Sequence, residues 1–299
     1  MAKWGIAIHG GAGKLPYYGM TAEREQEFKT SLKKAVEAGF QILEESGSAL
    51  DAVENSIKIL EDNPLFNAGR GSVFTAKGNN RMDASIMCGK SMKAGAICRI
   101  MYVKNPIALA RALMENSENL FLSDEGAENY AKEIGLEMMP PPYFFTQERY
   151  DQWQEEKLKK NQEEHGTVGA VALDKNGNLA AGTSTGGLIG KNEYRIGDSA
   201  IIGAGTYANN KTCAVSCSGK GESIIRAVVA HEISSLLLYQ QIDLNSACEK
   251  TMLEKLNPFG GHAGFVAIDK EGTVKFIHNS ERMYRGQKIS GEQTIIGLY

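Results

Sequence analysis

A chain of 299 residues, 42% hydrophobic and 23% charged, has the make-up of a folded globular protein, not of a disordered, fibrous or membrane-embedded one. Its net charge of -3 is spread along the length, which argues against a nucleic-acid or membrane-surface partner. The five cysteines (Cys88, Cys98, Cys213, Cys217, Cys248) have no metal or redox spacing. They read as reduced core residues of a cytoplasmic protein, and the start, MAKWGIAIHGG, carries no secretory signal. No run is long and apolar enough to span a bilayer.

Trp4 to His9 predicts a short buried strand, ended by Gly10-Gly11-Ala12-Gly13. Thr21 is a candidate N-cap, although Arg24 stands where a capping-box glutamate would. Phe28, Leu32, Val36, Phe40 and Leu43 then recur at helical spacing as far as Gly47. Ser48 opens a second helix with Leu50, Val53, Ile57 and Leu60 on one face, and Pro64 stops it. A loop, LFNAGRG, follows. Strands are expected near 81–87 and 92–101, and helices from Pro106 to Met114 and from Asp124 to Ile134. Three prolines, 140–142, break the pattern. Residues 146–166 are almost all polar or charged and predict a mobile linker or a solvated helix.

The second half opens with strands at 167–173 and 178–184 joined by Asn176-Gly177, a strong hairpin signal. A Gly-rich irregular stretch runs from Thr185 to Gly205, and a strand is expected at 214–217. Helices are expected from Glu222 to Gln240 and from Leu244 to Leu256. Gly264–Asp269 and Thr273–His278 read as a closing hairpin. Strands and helices are segregated within each half, which favours a layered α+β fold in one domain, 1–299, over a doubly wound sheet.

The stretch His165-Gly166-Thr167-Val168 stands at the junction of the two halves. We read it as a self-cleavage site between Gly166 and Thr167. A threonine hydroxyl is a poor nucleophile without a base, and a threonine at a chain start carries one as its own α-amine. With a reference pKa of about 7.7, that amine is partly neutral at neutral pH. Glycine on the other side of the bond lets the backbone strain while the hydroxyl approaches the carbonyl. The competing reading is the start of an ordinary half-buried strand.

Other motifs compete for the chemistry. Gly182-Thr183-Ser184-Thr185-Gly186 fits the G-x-S-x-G elbow of serine esterases, with His9-Gly10-Gly11 as an oxyanion loop, Asp198 or Asp243, and His262 or His278. The elbow needs a helix directly after the strand, and Gly187-Leu188-Ile189-Gly190 is a poor helix start. Ser218-Gly219-Lys220-Gly221-Glu222-Ser223 fails as a Walker loop but leaves a Gly-rich turn able to face an anion or a developing oxyanion. The histidines have no metal spacing and read as structural, with His165 solvated. Arg195 and Asp198 form either a surface pair, worth under about 1 kcal/mol, or a clamp for an amino acid's carboxylate and ammonium. A non-catalytic amino-acid binder built on that clamp is a third class of function.

Taken in order, HGGAG (9–13), NPLFNAGRGSVF (63–74), MDAS (82–85), KAGA (93–96), HGTVGAVALD (165–174), GTSTGG (182–187), RIGDS (195–199), GAGTYANN (203–210) and SCSGKGE (216–222) closely resemble the plant-type asparaginase / isoaspartyl peptidase family of N-terminal-nucleophile hydrolases. The resemblance implies a four-layer αββα sandwich, α+β in class. It also implies a precursor cut into an alpha subunit, 1–166, and a beta subunit, 167–299, which pair again into a dimer of heterodimers. It implies hydrolysis of the side-chain amide of L-asparagine and of β-aspartyl dipeptides, with glycosyl-asparagine cleavage as a related activity. Thr167 would be the nucleophile, Thr185 its hydrogen-bond partner, and Ser218 and Gly219 the oxyanion hole. Arg195, Asp198 and Gly221 would complete substrate binding. A structural sodium ion would use carbonyls of Leu60, Glu61, Asn63, Phe66, Ala68 and Arg70. The family usually has threonine where this chain has Ser218, so the methyl that restricts the rotamer is missing.

Overall fold

A computed structural model describes residues 3–159 and 166–299; His165 lies outside the described residues. Two sheets stack face to face. The larger has eight strands in the order β12-β11-β1-β5-β6-β2-β3-β4, and the smaller has four, β10-β9-β8-β7. In the larger sheet β1 (Gly5–Gly13) pairs antiparallel with β5 (Val168–Leu173) on one side and β11 (Arg282–Ile289) on the other. β5 pairs with β6 (Leu179–Thr185), and β6 with β2 (Met82–Cys88). β3 (Ala94–Ile100) and the short β4 (Phe121–Ser123) complete one edge, and β12 (Ile295–Gly297) the other. The smaller sheet is β7 (Thr206–Ala208), β8 (Cys213–Gly219), β9 (Ala263–Asp269) and β10 (Val274–His278).

Period-two alternation sorts each strand between layers. On β1, Ile6 and Ile8 pack with Phe28 and Leu32 of α1 (Ala22–Glu44) and with Val53 and Ile57 of α2 (Ala49–Glu61). Ala7, between them, points the other way, into a core shared with Val171, Ala181, Val266 and Ile268 of both sheets. The outer face of the small sheet is covered in the same way. Val215, Cys217 and Phe265 pack against Ile224, Ile233, Leu244 and Met252 of the later helices. Helices α3 (Pro106–Asn116) and α4 (Asp124–Glu133) cover the far strands of the larger sheet. The order is therefore helix, sheet, sheet, helix. The α+β expectation holds at that level. Among the described residues no helix is long and apolar enough to cross a membrane. All five cysteines are unpaired, with Cys98, Cys213, Cys217 and Cys248 buried.

Local signals account for most boundaries. Thr21 caps α1 by accepting from the Arg24 amide, and Ser48 caps α2 by accepting from the Asp51 amide. The single helix expected over 222–240 is broken. Val228 takes a left-handed backbone, φ 49°, costly for a β-branched residue. The break separates α6 (Gly221–Ala227) from α7 (Val229–Ser235) and lets the Ala230 and His231 amides donate to Ala204 and Gly203 carbonyls. The helix beginning at Leu244, α8 (Leu244–Lys250), continues into a wider π-helical turn over 251–256. The hairpin of β9 and β10 does not close the chain: β11 and β12 follow and return to the larger sheet.

Of the polar stretch 146–166, residues Gln147–Lys159 form a helix, α5, and it is not wholly solvated. Trp153 is buried against Phe74, and Arg149 Nε donates to the Gly71 carbonyl at 3.0 Å. One aromatic and one guanidinium in an otherwise polar sequence are enough to anchor it.

Candidate active site

Thr167 immediately precedes the central strand β5 and is 4% exposed. Val168 pairs with Ser184, so antiparallel register sets Thr185, at the end of β6, directly beside Thr167. The Thr167 hydroxyl donates to Thr185 Oγ1 at 3.1 Å. Thr185 in turn donates to the Gly166 carbonyl at 2.9 Å and accepts from the Gly187 amide at 2.9 Å. A second donor reaches the same carbonyl: Asn67 Nδ2, at 2.9 Å. Asn67 is itself fixed, donating to Gly187 O at 2.8 Å and accepting from the Val73 amide at 2.9 Å. The Gly166 carbonyl thus lies between two aimed donors, with a hydroxyl of the next residue in the same network.

β1 supplies the opposite wall. Its pairing with β11 shifts register between His9 and Gly11, a bulge that turns the glycine run toward Thr167. Gly11 has φ 111°, and a Cβ there would sit 3.2 Å from both Gly166 Cα and Thr167 N. Only glycine allows both that backbone and that approach. His9 is fully buried, and burial pulls its pKa down to about 4, so the ring is neutral. A carbonyl only accepts, so Nδ1 carries the proton and donates to Thr167 O at 3.1 Å. Nε2 then accepts from Ser216 Oγ at 2.9 Å. Ser216 continues to Thr183 at 2.7 Å, within a run of buried hydroxyls between the sheets.

A small cleft opens beside Thr167, lined by Thr185, Gly187, Arg195, Asp198 and Gly219 among others. Arg195 and Asp198 are both present, but not as a surface ion pair. Arg195 makes a two-pronged bond to Glu222, Nε at 2.7 Å and Nη2 at 3.0 Å. Asp198 is 4% exposed, and its Oδ2 has no protein partner. Burial pushes its carboxyl up to about 7, against the opposing pull of the Arg195 charge. A Cβ on Gly221 would lie 2.9 Å from Asp198 Oδ1 and 3.0 Å from Arg195 Nη2, so that glycine borders the pair. Ser218 lies three residues back, on β8, 0% exposed, its Oγ accepting from the Ala12 amide at 2.9 Å. The hydroxyl proton of Ser218 stays available to donate.

The serine-esterase alternative fails on geometry. Ser184 alternates to the opposite face of β6 from Thr183 and Thr185, is 0% exposed, and donates to Glu61 Oε1 at 2.6 Å. Its partner is a buried carboxyl that burial raises to about 8, and no helix directly follows β6: the next helical turn is Asp198–Ala200. The residues of the carbonyl set, Leu60 to Arg70, lie apart from the cleft, on the end of α2 and the turn after it, and reach the Gly166 and Gly187 carbonyls through Asn67. Sequence reasoning missed Asn67, His9 and Glu222 as members of the site. All three lie inside motifs already noted, but nothing in the spacing says which member of a motif faces inward.

A family description matches this arrangement along its length: the asparaginase family, over residues 2–297. The chain belongs to the asparaginase family. It is similar to an isoaspartyl peptidase of Escherichia coli K12, 43% identical with all of this chain and 97% of the relative covered. It is similar also to a plant-type L-asparaginase of Pyrococcus abyssi, 41% identical over 93% of this chain and 94% of the relative. An isoaspartyl peptidase/L-asparaginase of Xenopus laevis is 38% identical over 98% and 94%. Within this asparaginase-family chain, the aligned threonines, the held carbonyl and the Arg195–Asp198 cleft are one continuous site.

Proposed function

We propose that this protein is an amidohydrolase of the N-terminal-nucleophile type, which cuts its own Gly166–Thr167 bond and then hydrolyses the side-chain amide of asparagine and β-aspartyl dipeptides. The observation that carries the reading is the Gly166 carbonyl held by Asn67 and Thr185, with the Thr167 hydroxyl bonded to the same Thr185. The printed names of the relatives, isoaspartyl peptidase and L-asparaginase, support the substrate class.

In the first reaction Thr167 Oγ1 attacks the Gly166 carbonyl carbon. Charge develops on the oxygen already facing two donors, a preorganised arrangement typically worth factors of about 100 to 1,000 per donor. The C–N bond breaks, and the nitrogen leaves with the proton given up by the hydroxyl. Water then splits the ester, freeing the Gly166 carboxylate and restoring the Thr167 hydroxyl beside the amine already released. In the second reaction that amine takes the hydroxyl proton while Oγ1 attacks the substrate's side-chain carbonyl. The amine passes the proton to the leaving nitrogen, and water releases aspartate. Arg195 and Asp198 suit the substrate's α-carboxylate and α-ammonium. Ser218 and Gly219 suit the second oxyanion.

The six carbonyls of Leu60, Glu61, Asn63, Phe66, Ala68 and Arg70 fit a sodium ion of structural role. All are neutral oxygen donors, as a hard monovalent cation prefers. The turn is compact: Gly69, at φ 51°, comes so close to Glu61 that a Cβ would sit 2.4 Å from its carbonyl oxygen. A bound ion would stiffen the turn that carries Asn67.

N-terminal sequencing of the purified protein tests the reading: a second start, Thr-Val-Gly-Ala, is expected, together with ammonia release from asparagine. Aspartate binding without turnover would instead support the non-catalytic binder. Three further outcomes are expected. First, kcat/KM should fall on the acid side with a slope steeper than one power of ten per pH unit. Asp198, raised to about 7, loses its grip on the ammonium as it takes a proton on falling pH. The Thr167 amine, near its reference of about 7.7, protonates over the same range. A single-slope limb between pH 5 and 7 would contradict this pairing. Second, Ser218→Thr should raise turnover by no more than a few fold, about 1 kcal/mol or less, since only a rotamer restriction is gained. Steady-state kinetics decide it. Ser184→Ala should keep hydrolysis and lower the melting temperature, by losing a buried bond of about 1–3 kcal/mol.

A further inference from the structure

Behind Gly166, on the side away from Arg195 and Asp198, lies a second, more enclosed pocket lined by Arg24, Glu148, Arg149, Gly166, Arg282 and Tyr284. Among the described residues of the lining, three guanidiniums stand with one carboxylate. Its floor is the Tyr284 ring, 2% exposed, with the Arg282 guanidinium stacked 4.0 Å from its centroid. The Tyr284 hydroxyl is buried and has no protein partner, and neither has Arg24 Nε. Glu148 is engaged by Arg24 Nη2. Arg149 is spent largely on the Gly71 carbonyl and Gln152, at 3.0 and 3.1 Å. Both residues line the cavity, and buried donors left without acceptors are costly, which suits an anion there.

Gly166 lines both this pocket and the cleft beside Thr167. It is the wall between them. We propose that removing this wall by the cut joins the two into one channel, in which the basic pocket takes the α-carboxylate of the residue leaving from a β-aspartyl dipeptide. The inference rests on the reading of Thr167 as nucleophile and of Arg195 and Asp198 as the aspartyl clamp. Distance fits: the pocket begins one residue from Thr167, and a leaving amino acid places its carboxylate about one residue length, roughly 3.5 Å, beyond the amide nitrogen. Charge fits, because a free carboxylate accepts from guanidinium and phenol donors together. Phe28 and Leu65 add apolar wall suited to an aliphatic side chain. Asparagine, whose leaving group is ammonia, gains nothing from this pocket. It is therefore a specificity device for peptides over the amide.

The test uses the processed two-chain enzyme and β-aspartyl-leucine, its C-terminal amide, and asparagine. The free acid should have a KM at least about tenfold below that of the dipeptide amide, with similar kcat, as expected for a lost charge-assisted contact. Arg24→Gln and Tyr284→Phe should each shrink the acid-over-amide ratio toward one. Equal KM for acid and amide in the wild type, with asparagine turned over, would overturn the anion pocket alone. No turnover of any aspartyl substrate would remove the aspartyl reading and the leaving-group pocket with it. A variant that lowers all three substrates in proportion, leaving the acid-over-amide ratio at its wild-type value, would show a structural role and overturn the assignment.

Discussion

Thr167→Ala is expected to leave the protein as one uncut chain with no measurable hydrolysis, while the fold is retained. The substitution removes the Oγ1 that donates to Thr185 at 3.1 Å and the atom that would attack the Gly166 carbonyl. It leaves the strand intact, because the backbone of β5 is held on both sides by β1 and β6. Loss of a nucleophile removes the covalent route altogether, so the fall in rate should exceed a factor of about 1,000. Gel electrophoresis shows the uncut band, circular dichroism checks the fold, and ammonia release reads the activity. Thr167→Ser keeps the oxygen and should still cut, more slowly, since the methyl that fixes the hydroxyl rotamer is gone. An alanine variant that cuts itself, or a wild type that is active while uncut, would end the proposal.

Asn67→Asp should slow self-cleavage by about 100-fold. The aspartate can still accept from the Val73 amide, as Asn67 Oδ1 does at 2.9 Å. It cannot donate to Gly166 O or Gly187 O, and its charge faces both oxygens. The expected result is a folded protein that accumulates as precursor and matures over hours to days, followed as band conversion with time. Cleavage at the wild-type rate would mean that Thr185 alone supports the carbonyl.

Much of this was legible in the sequence, for identifiable reasons. Ser48 and Thr21 announce helix starts because their hydroxyls compete for the orphan amides of a first turn. Asn176-Gly177 announces a hairpin because glycine accepts φ 77°. The pairing of Thr167 with Thr185 follows from that hairpin, since a fixed turn fixes the register. What was not legible depends on contacts far apart in the chain. The break at Val228 answers to carbonyls of Gly203 and Ala204, some 25 residues upstream. Arg195 and Asp198 are three apart in sequence, yet the guanidinium turns to Glu222 and the carboxylate is buried with Oδ2 unpartnered. Asn67, inside a turn notable for its glycines, gives no hint that its amide meets a carbonyl 99 positions away.

The order of strands in the larger sheet has a consequence for how such a molecule can be made. Segments from before and after position 166 alternate across it: β12 and β11, then β1, then β5 and β6, then β2, β3 and β4. The first fragment holds β1 apart from the block β2-β3-β4 and the second holds two separated pairs, so each alone would leave bare strand edges within this sheet. The intact polypeptide acts as its own assembly jig. A cut at position 166, as proposed, would therefore be harmless only after folding.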